Sequence, residues 1–238
     1  MSVSSTCHTT FNHQMNWPPF SARARLRGLY VITDSQRAGG HLPIARAALA
    51  GGAQIIQLRD KETSLPRLLA IANEMRRLTR QYNALLIIND RTDLTLCCEA
   101  DGVHLGPDDL PVGAVRRLLG PHKIIGASCG TKEEALAAWH AGADYIGCGA
   151  IFGTQTKSDA GEAIGLEALR EIVEATPLPV AAIGGVHLEN IAQTRRAGAS
   201  MAAVITAVTN AQTQTAMSQA TRDLVARFDV GAQQVAPL

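Results

Sequence analysis

The sequence predicts a single closed (β/α)8 barrel of the TIM type. Short aliphatic runs alternate with segments of helical spacing. Small-residue tracts recur just ahead of the runs. Polar residues crowd where the runs end. Alternation of this kind means βα units and a parallel sheet. Eight units in about 200 residues fit a closed barrel better than an open doubly wound sheet.

The expected strands, in order, are Leu29–Ile32, Gln54–Leu58, Ala84–Ile88, Gly102–Leu105, Lys123–Ala127, Tyr145–Cys148, Val180–Ile183 and Ala202–Ile205. All are too short for most helices. The expected helices are Leu42–Ala50, Leu65–Tyr82, Val112–Leu119, Lys132–Ala141, Leu166–Glu174, Leu188–Ala197 and Thr213–Phe228, with a short segment after Asp93. The clearest is Leu65–Tyr82, where Leu68, Leu69, Ala72, Met75, Arg76 and Leu78 trace one face. The tracts Ala50–Ala53, Ala100–Gly102, Ala141–Asp144 and Ala197–Ser200 each precede a strand. A glycine there ends a helix in the left-handed conformation and lets the chain turn into the strand.

Residues 1–26 are polar, contain Pro18 and Pro19 and carry no sustained period. They lack the apolar stretch of a secretory signal, and a disordered extension is expected. The barrel is assigned to residues 27–230 and a loose tail to 231–238. Within the chain 46% of residues are apolar but only 4% aromatic, so Ala, Leu, Ile and Val must fill the core. That bias suits parallel strands buried on both faces. The formal net charge is +1 with no basic tract, which argues against nucleic acid. No run reaches transmembrane length. Five cysteines without a CxxC pair fit reduced thiols in a cytoplasmic protein.

In a βα barrel the chemistry sits on loops at the carboxyl ends of the strands. Here those ends read Thr33-Asp34, Gln57 to Lys61, Asn89-Asp90-Arg91, Gly106 to Asp109, Ser128, Thr154 to Lys157, Gly184-Gly185 and Thr206. The segment Gly147–Lys157 delivers Thr154, Thr156 and Lys157 from one apolar run. Hydroxyls with an ammonium suit phosphate oxygens, and glycines let a ligand approach the backbone. Taken alone, the segment fits a solvated Thr-rich turn equally well. Period two places Gln57, Arg59 and Lys61 on one face, where the cations would repel unless an anion lay between them. Asp90, with Asp108 or Asp109, could share Mg²⁺. Helix capping is the plain alternative for Asp93 and Asp109. No His or Cys cluster points to zinc, and His104 is expected as a packed or loop-facing residue. Gly184-Gly185 and Ile205-Thr206 end the last two strands, the usual phosphate cradle of this architecture.

The ordered motifs LYVITD (29–34), QLRDK (57–61), INDR (88–91), DGVHLG with DDLP (101–111), IIGAS (124–128), FGTQTK (152–157) and AIGGV (182–186) resemble the thiamine phosphate synthases over about residues 28–228. The resemblance implies a transferase of thiamine biosynthesis. It would join a pyrimidine carrying a diphosphate-activated methylene to a thiazole phosphate, giving thiamine phosphate and pyrophosphate by a dissociative, carbocation-like substitution. It implies that Gln57, Arg59, Lys61, Asn89, Ser128 and Lys157 hold the pyrimidine diphosphate. Lys61, Ser128 and Lys157 would act on the leaving group. Thr154, Thr156, Gly185, Ile205 and Thr206 would hold the thiazole phosphate, and Asp90 and Asp109 would bind Mg²⁺. Pro107, Cys129-Gly130 and Gly153 depart from the family's usual residues without removing a ligand. A thiazole tautomerase of the same superfamily, a phosphosugar epimerase and a non-catalytic phosphate-ligand binder are the alternatives. The tautomerases tend to carry a His near position 130, where this chain has Gly. The partners implied are small molecules, with a homo-oligomer possible.

Overall fold

A computed structural model describes residues 22–153 and 162–233. Eight parallel strands close into a barrel in sequence order. They are β1 (Gly28–Thr33), β2 (Ile55–Leu58), β3 (Leu85–Asn89), β4 (Gly102–Leu105), β5 (Ile124–Cys129), β6 (Tyr145–Cys148), β7 (Val180–Ala182) and β8 (Met201–Val204). The barrel closes where β1 pairs with β8, Tyr30 opposite Ala203. Around it run α1 (His41–Ala50), α2 (Leu65–Gln81), α3 (Thr92–Cys97), α4 (Val112–Leu119), α5 (Lys132–His140), α6 (Gly165–Ala175), α7 (Ile191–Arg196), α8 (Thr206–Thr209) and α9 (Gln214–Gln233). The final helix packs between α1 and α7 and so closes the outer ring.

Period two sorts the strand residues between two cores. Leu29, Val31, Ile56, Leu58, Leu86 and Ile88 face outward and pack under helices. Tyr30, Ile32, Ile55, Leu85, Ile87, Ile124, Tyr145, Met201 and Ala203 fill the interior. Because both faces are buried, each strand reads as an unbroken apolar run. The inward rows change character on the way up. Ile55 is followed by Gln57, Ile87 by Asn89, and Ile124 by Gly126 and Ser128. The polar members therefore stand at the rim where every strand exits.

The opposite end is plugged and ion-paired. Leu26, which the sequence reading assigns to the N-terminal extension, packs into the interior cluster. A short 3₁₀ turn, Ala22–Arg25, leads into it. Asp144, whose side chain is sealed from solvent, pairs with Arg23 and with Arg116, each at 2.6 Å, and accepts from the Ile125 amide. Two cations and an amide around one buried carboxylate offset the cost of burying its charge.

Several boundaries shift from expectation. Ser128 lies within β5, opposite Gly147, because that strand runs two residues past Ala127. The four-residue α8 is too short to leave a periodic signal. The last helix reaches Gln233. The cysteines Cys98, Cys129 and Cys148 are buried as small core residues, and Cys97 is exposed. Among the described residues no helix is long and apolar enough to cross a membrane.

Candidate active site

The described residues of the expected site lie toward the carboxyl end of the barrel, Gln57, Asn89 and Ser128 near the ends of their strands and the others on the loops that follow. The acids come first. Asp90 follows β3 and Asp109 sits on the loop after β4, near enough for Asp109 to raise the Asp90 carboxyl. The Asp90 backbone has φ 64°, a left-handed conformation that Asp tolerates better than most residues. Its amide donates to the His104 carbonyl at 2.9 Å, which ties the β3 exit to β4. The Asn89 amide donates to the Asp90 carboxylate.

Burial of Asp90 pushes its carboxyl up to about 6, with further upward push from hydrogen bonding and like charge at Asp109. Lys61 and Arg59 pull in the other direction. These four ionisable groups from three loops therefore share one electrostatic site. Two carboxyls held together at a half-buried rim suit a divalent cation that neutralises both. Among the described residues no three His, Cys, Asp or Glu side chains gather into a group that could hold a metal ion. Asp108 is exposed and takes no part in the Asp90 contact.

Capping does not account for Asp109. Helix α4 starts at Val112 behind Pro111, and the Asp109 carboxylate accepts from the Gly106 amide at 2.7 Å. It braces its own loop. Asp93 sits in the first turn of α3, with Arg91 at the N-cap position, and pairs with that arginine.

Arg59 and Lys61 arrive differently from the expectation. Strand β2 ends at Leu58, so its period does not carry to them. Their loop is set by Asp60 between them. The Asp60 carboxylate accepts from the Glu62 and Thr63 amides, both at 2.8 Å, from the Thr63 hydroxyl at 2.7 Å and from His41 Nε2 at 2.9 Å. Turned inward, Asp60 leaves its two cationic neighbours for the rim. Gln57 points into the barrel and is 1% exposed.

Two phenols missed by the sequence reading, Tyr30 and Tyr145, join Gln57, His104 and Ser128 in a polar row that crosses the interior. Gln57 Nε2 donates to the Tyr30 hydroxyl at 2.6 Å. Tyr30 and Tyr145 hydroxyls stand 3.0 Å apart. The Tyr145 hydroxyl is 2.9 Å from His104 Nδ1, and His104 Nε2 is 3.0 Å from Ser128 Oγ. Burial holds both phenols un-ionised, their pKa values raised well above the ordinary one. His104 is a strand residue stacked on the Tyr145 ring. Two glycines make room for this row. A Cβ on Gly126 would stand 2.1 Å from Tyr145 Cζ, and one on Gly147 would stand 2.8 Å from His104 Cε1. Gly147 thus opens space for a side chain of the protein, not for a ligand. The signal in the sequence was the inward register shared by Tyr30, Gln57, His104, Ser128 and Tyr145.

The opposite side of the rim is glycine-rich. Gly185 follows β7 with φ 63°, and a Cβ there would meet the Gly153 carbonyl oxygen at 2.7 Å. The Phe152 amide donates to the Gly184 carbonyl at 3.0 Å, holding the two loops together. Ile205 and Thr206 follow β8, with Thr206 opening α8. Thr154, Thr156 and Lys157 lie outside the described residues.

Comparison with known proteins places this geometry in a family. The family model described as thiamine monophosphate synthase matches residues 29–208. A thiamine-phosphate synthase of Methanospirillum hungatei is 51% identical over 183 residues, covering 76% of this chain and 89% of that protein. One from Moorella thermoacetica is 46% identical over 201 residues, covering 84% of this chain and 96% of that protein. A solved structure of thiamine phosphate pyrophosphorylase from Pyrococcus furiosus superposes with a TM-score of 0.81 at 41% identity, covering 89% of this chain and 99% of that one. With its barrel, its paired rim acids and these relatives, the chain belongs to the thiamine monophosphate synthase family of transferases.

Proposed function

We propose that this rim joins a pyrimidine methylene to a thiazole nitrogen by a dissociative substitution. The bond between the methylene carbon and the diphosphate oxygen breaks, and its electron pair leaves with pyrophosphate. The electron-rich aminopyrimidine carries the positive charge that develops. The thiazole nitrogen then gives its lone pair to the carbon, and thiamine phosphate results. No protein nucleophile is required.

The chain's residues divide the work. Arg59, Lys61, Asn89, Ser128 and Lys157 would bind the diphosphate, and Gln57 the ring. Cations and hydroxyls placed around a leaving group stabilise charge that grows as the bond breaks. Lys61, Ser128 and Lys157 act there most directly. Thr154, Thr156, Gly185, Ile205 and Thr206 would fix the thiazole phosphate, partly through backbone amides, so that its nitrogen faces the carbon. Holding both reactants in this geometry supplies much of the rate. Asp90 and Asp109 would hold Mg²⁺, which when bound neutralises leaving-group charge.

The observation that carries the reading is that Arg59 and Lys61, Asp90, and Asp109 follow the neighbouring strands β2, β3 and β4 at one end of the barrel. Acids and bases in one small region fit a metal-bound diphosphate. The test is an assay of purified protein with both substrates and Mg²⁺, read by mass spectrometry. Thiamine phosphate and pyrophosphate should form together, and only with all three present. A thiazole tautomerase or a plain binder would release no pyrophosphate.

A further inference from the structure

Beneath the rim, Gln57, Tyr30, Tyr145, His104 and Ser128 form an unbroken hydrogen-bonded row from β2 through β1, β6 and β4 to β5. Each phenol has one proton to donate, and a neutral imidazole has one N–H. Where each member spends its proton on its neighbour in the row, the direction of any one bond fixes the direction of the next. Two orders exist. In the first, the Gln57 amide donates to Tyr30, Tyr30 to Tyr145 and Tyr145 to Nδ1, while Nε2–H donates to Ser128. In the second, every bond is reversed and the Gln57 amide is turned over.

The two orders present different faces to a ligand. The first leaves the Ser128 proton free for a phosphate oxygen and offers the Gln57 carbonyl as an acceptor. The second consumes the Ser128 proton and offers the Gln57 amide as a donor. In the structure Gln57 Nε2 is the atom on Tyr30, and Gln57 Oε1 is buried without a hydrogen-bond partner among the described residues. A buried acceptor left open costs stability until a donor reaches it.

We infer that Tyr30, Tyr145 and His104 are positioning residues, a proton-ordered relay that couples recognition of an anionic leaving group at Ser128 to recognition of an amino group at Gln57. An anion at one end and an amino N–H at the other select the same order, so each favours the other. A ring bearing a carbonyl in place of the amino group demands the reverse order and forfeits the Ser128 donor. The inference rests on the proposed reaction for its substrate, but the relay itself is testable without turnover.

The first measurement is ¹⁵N NMR of the imidazoles in the full chain with Mg²⁺ and inorganic pyrophosphate, the His104 signal assigned by its loss in His104→Gln. The relay predicts a bare Nδ1 and a protonated Nε2. Gln57→Glu places an acceptor-only group at the far end, and the His104 proton should move to Nδ1. An unchanged tautomer in Gln57→Glu overturns the relay. The second measurement needs no such variant. Tyr30→Phe and Tyr145→Phe should each lower kcat/KM for the pyrimidine diphosphate about 10-fold, and the pair together little further, because one cut already breaks the row. A loss near the product of the singles, about 100-fold, overturns it. The two readings separate cleanly. A tautomer that flips in a protein making no thiamine phosphate keeps the relay and removes the synthase. Turnover with a fixed tautomer does the opposite.

Discussion

His41 Nε2 lies 2.9 Å from the Asp60 carboxylate, with side-chain exposures of 3% and 0%. The pair joins the start of α1 to the loop that carries Arg59 and Lys61, and His41 Nδ1 is held in turn by the Thr33 hydroxyl at 2.7 Å. Removing one partner of such a buried pair costs about 3–5 kcal/mol, because the other is left unpaired. Asp60→Asn should lose part of this in urea denaturation, since its amide still accepts some of the bonds. It should also raise KM for the pyrimidine diphosphate about 10-fold or more, through disorder of the loop. An unchanged KM would detach Asp60 from the placement of the two cations.

The same residue sets an acid limit on stability. Burial raises the Asp60 carboxyl, but hydrogen bonds from His41, Thr63 and Glu62 outweigh it and hold the pKa well below the ordinary carboxylate range. A carboxyl depressed by folding stabilises the protein fully above its unfolded pKa of about 4, and loses that contribution as pH falls further. The stability gap between wild type and Asp60→Asn should be constant near neutrality and shrink below about pH 4. Parallel curves down to pH 2 would contradict this.

Asp90→Asn is the informative change at the acid pair. Asn accepts the positive φ of this position, whereas Ala there costs about 1 kcal/mol. The variant relieves like-charge contact with Asp109, so the metal-free protein should be at least as stable as wild type. Saturating Mg²⁺ should raise the melting temperature of wild type by the equivalent of about 2–3 kcal/mol at a hundredfold excess over Kd, and leave Asp90→Asn almost unmoved. Equal Mg²⁺ responses would place the cation elsewhere.

Gly126→Ala should destabilise the barrel by about 3 kcal/mol, because its Cβ has no space beside the Tyr145 ring. Gly153→Ala, with nothing near its Cβ direction, should change stability little. Chemical denaturation of the two variants gives the comparison directly.

The barrel was legible because strands buried on both faces leave short aliphatic runs, and the helices between them carry a period of their own. The rim was legible because Asp90 and Lys61 each follow such a run. The interior row was not. Tyr30 and Tyr145 sit in runs whose two faces are both buried, so composition could not show which residues turn inward, and His104 looked like packing for the same reason. Gly147 read as an approach for ligand because nothing in its own run reveals the imidazole across from it on β4. Asp60 was overlooked since its neighbours carry the visible charge, while its own partner, His41, lies on another βα unit.

The most direct measurement is a crystal structure of the protein grown with Mg²⁺, thiamine phosphate and pyrophosphate. Pyrophosphate should rest against Arg59, Lys61 and Ser128, with the cation between Asp90 and Asp109 and the thiazole phosphate on the Gly185 loop. Density for the cation or the pyrophosphate at the Asp144 end of the barrel, or anywhere away from Asp90, would contradict the account.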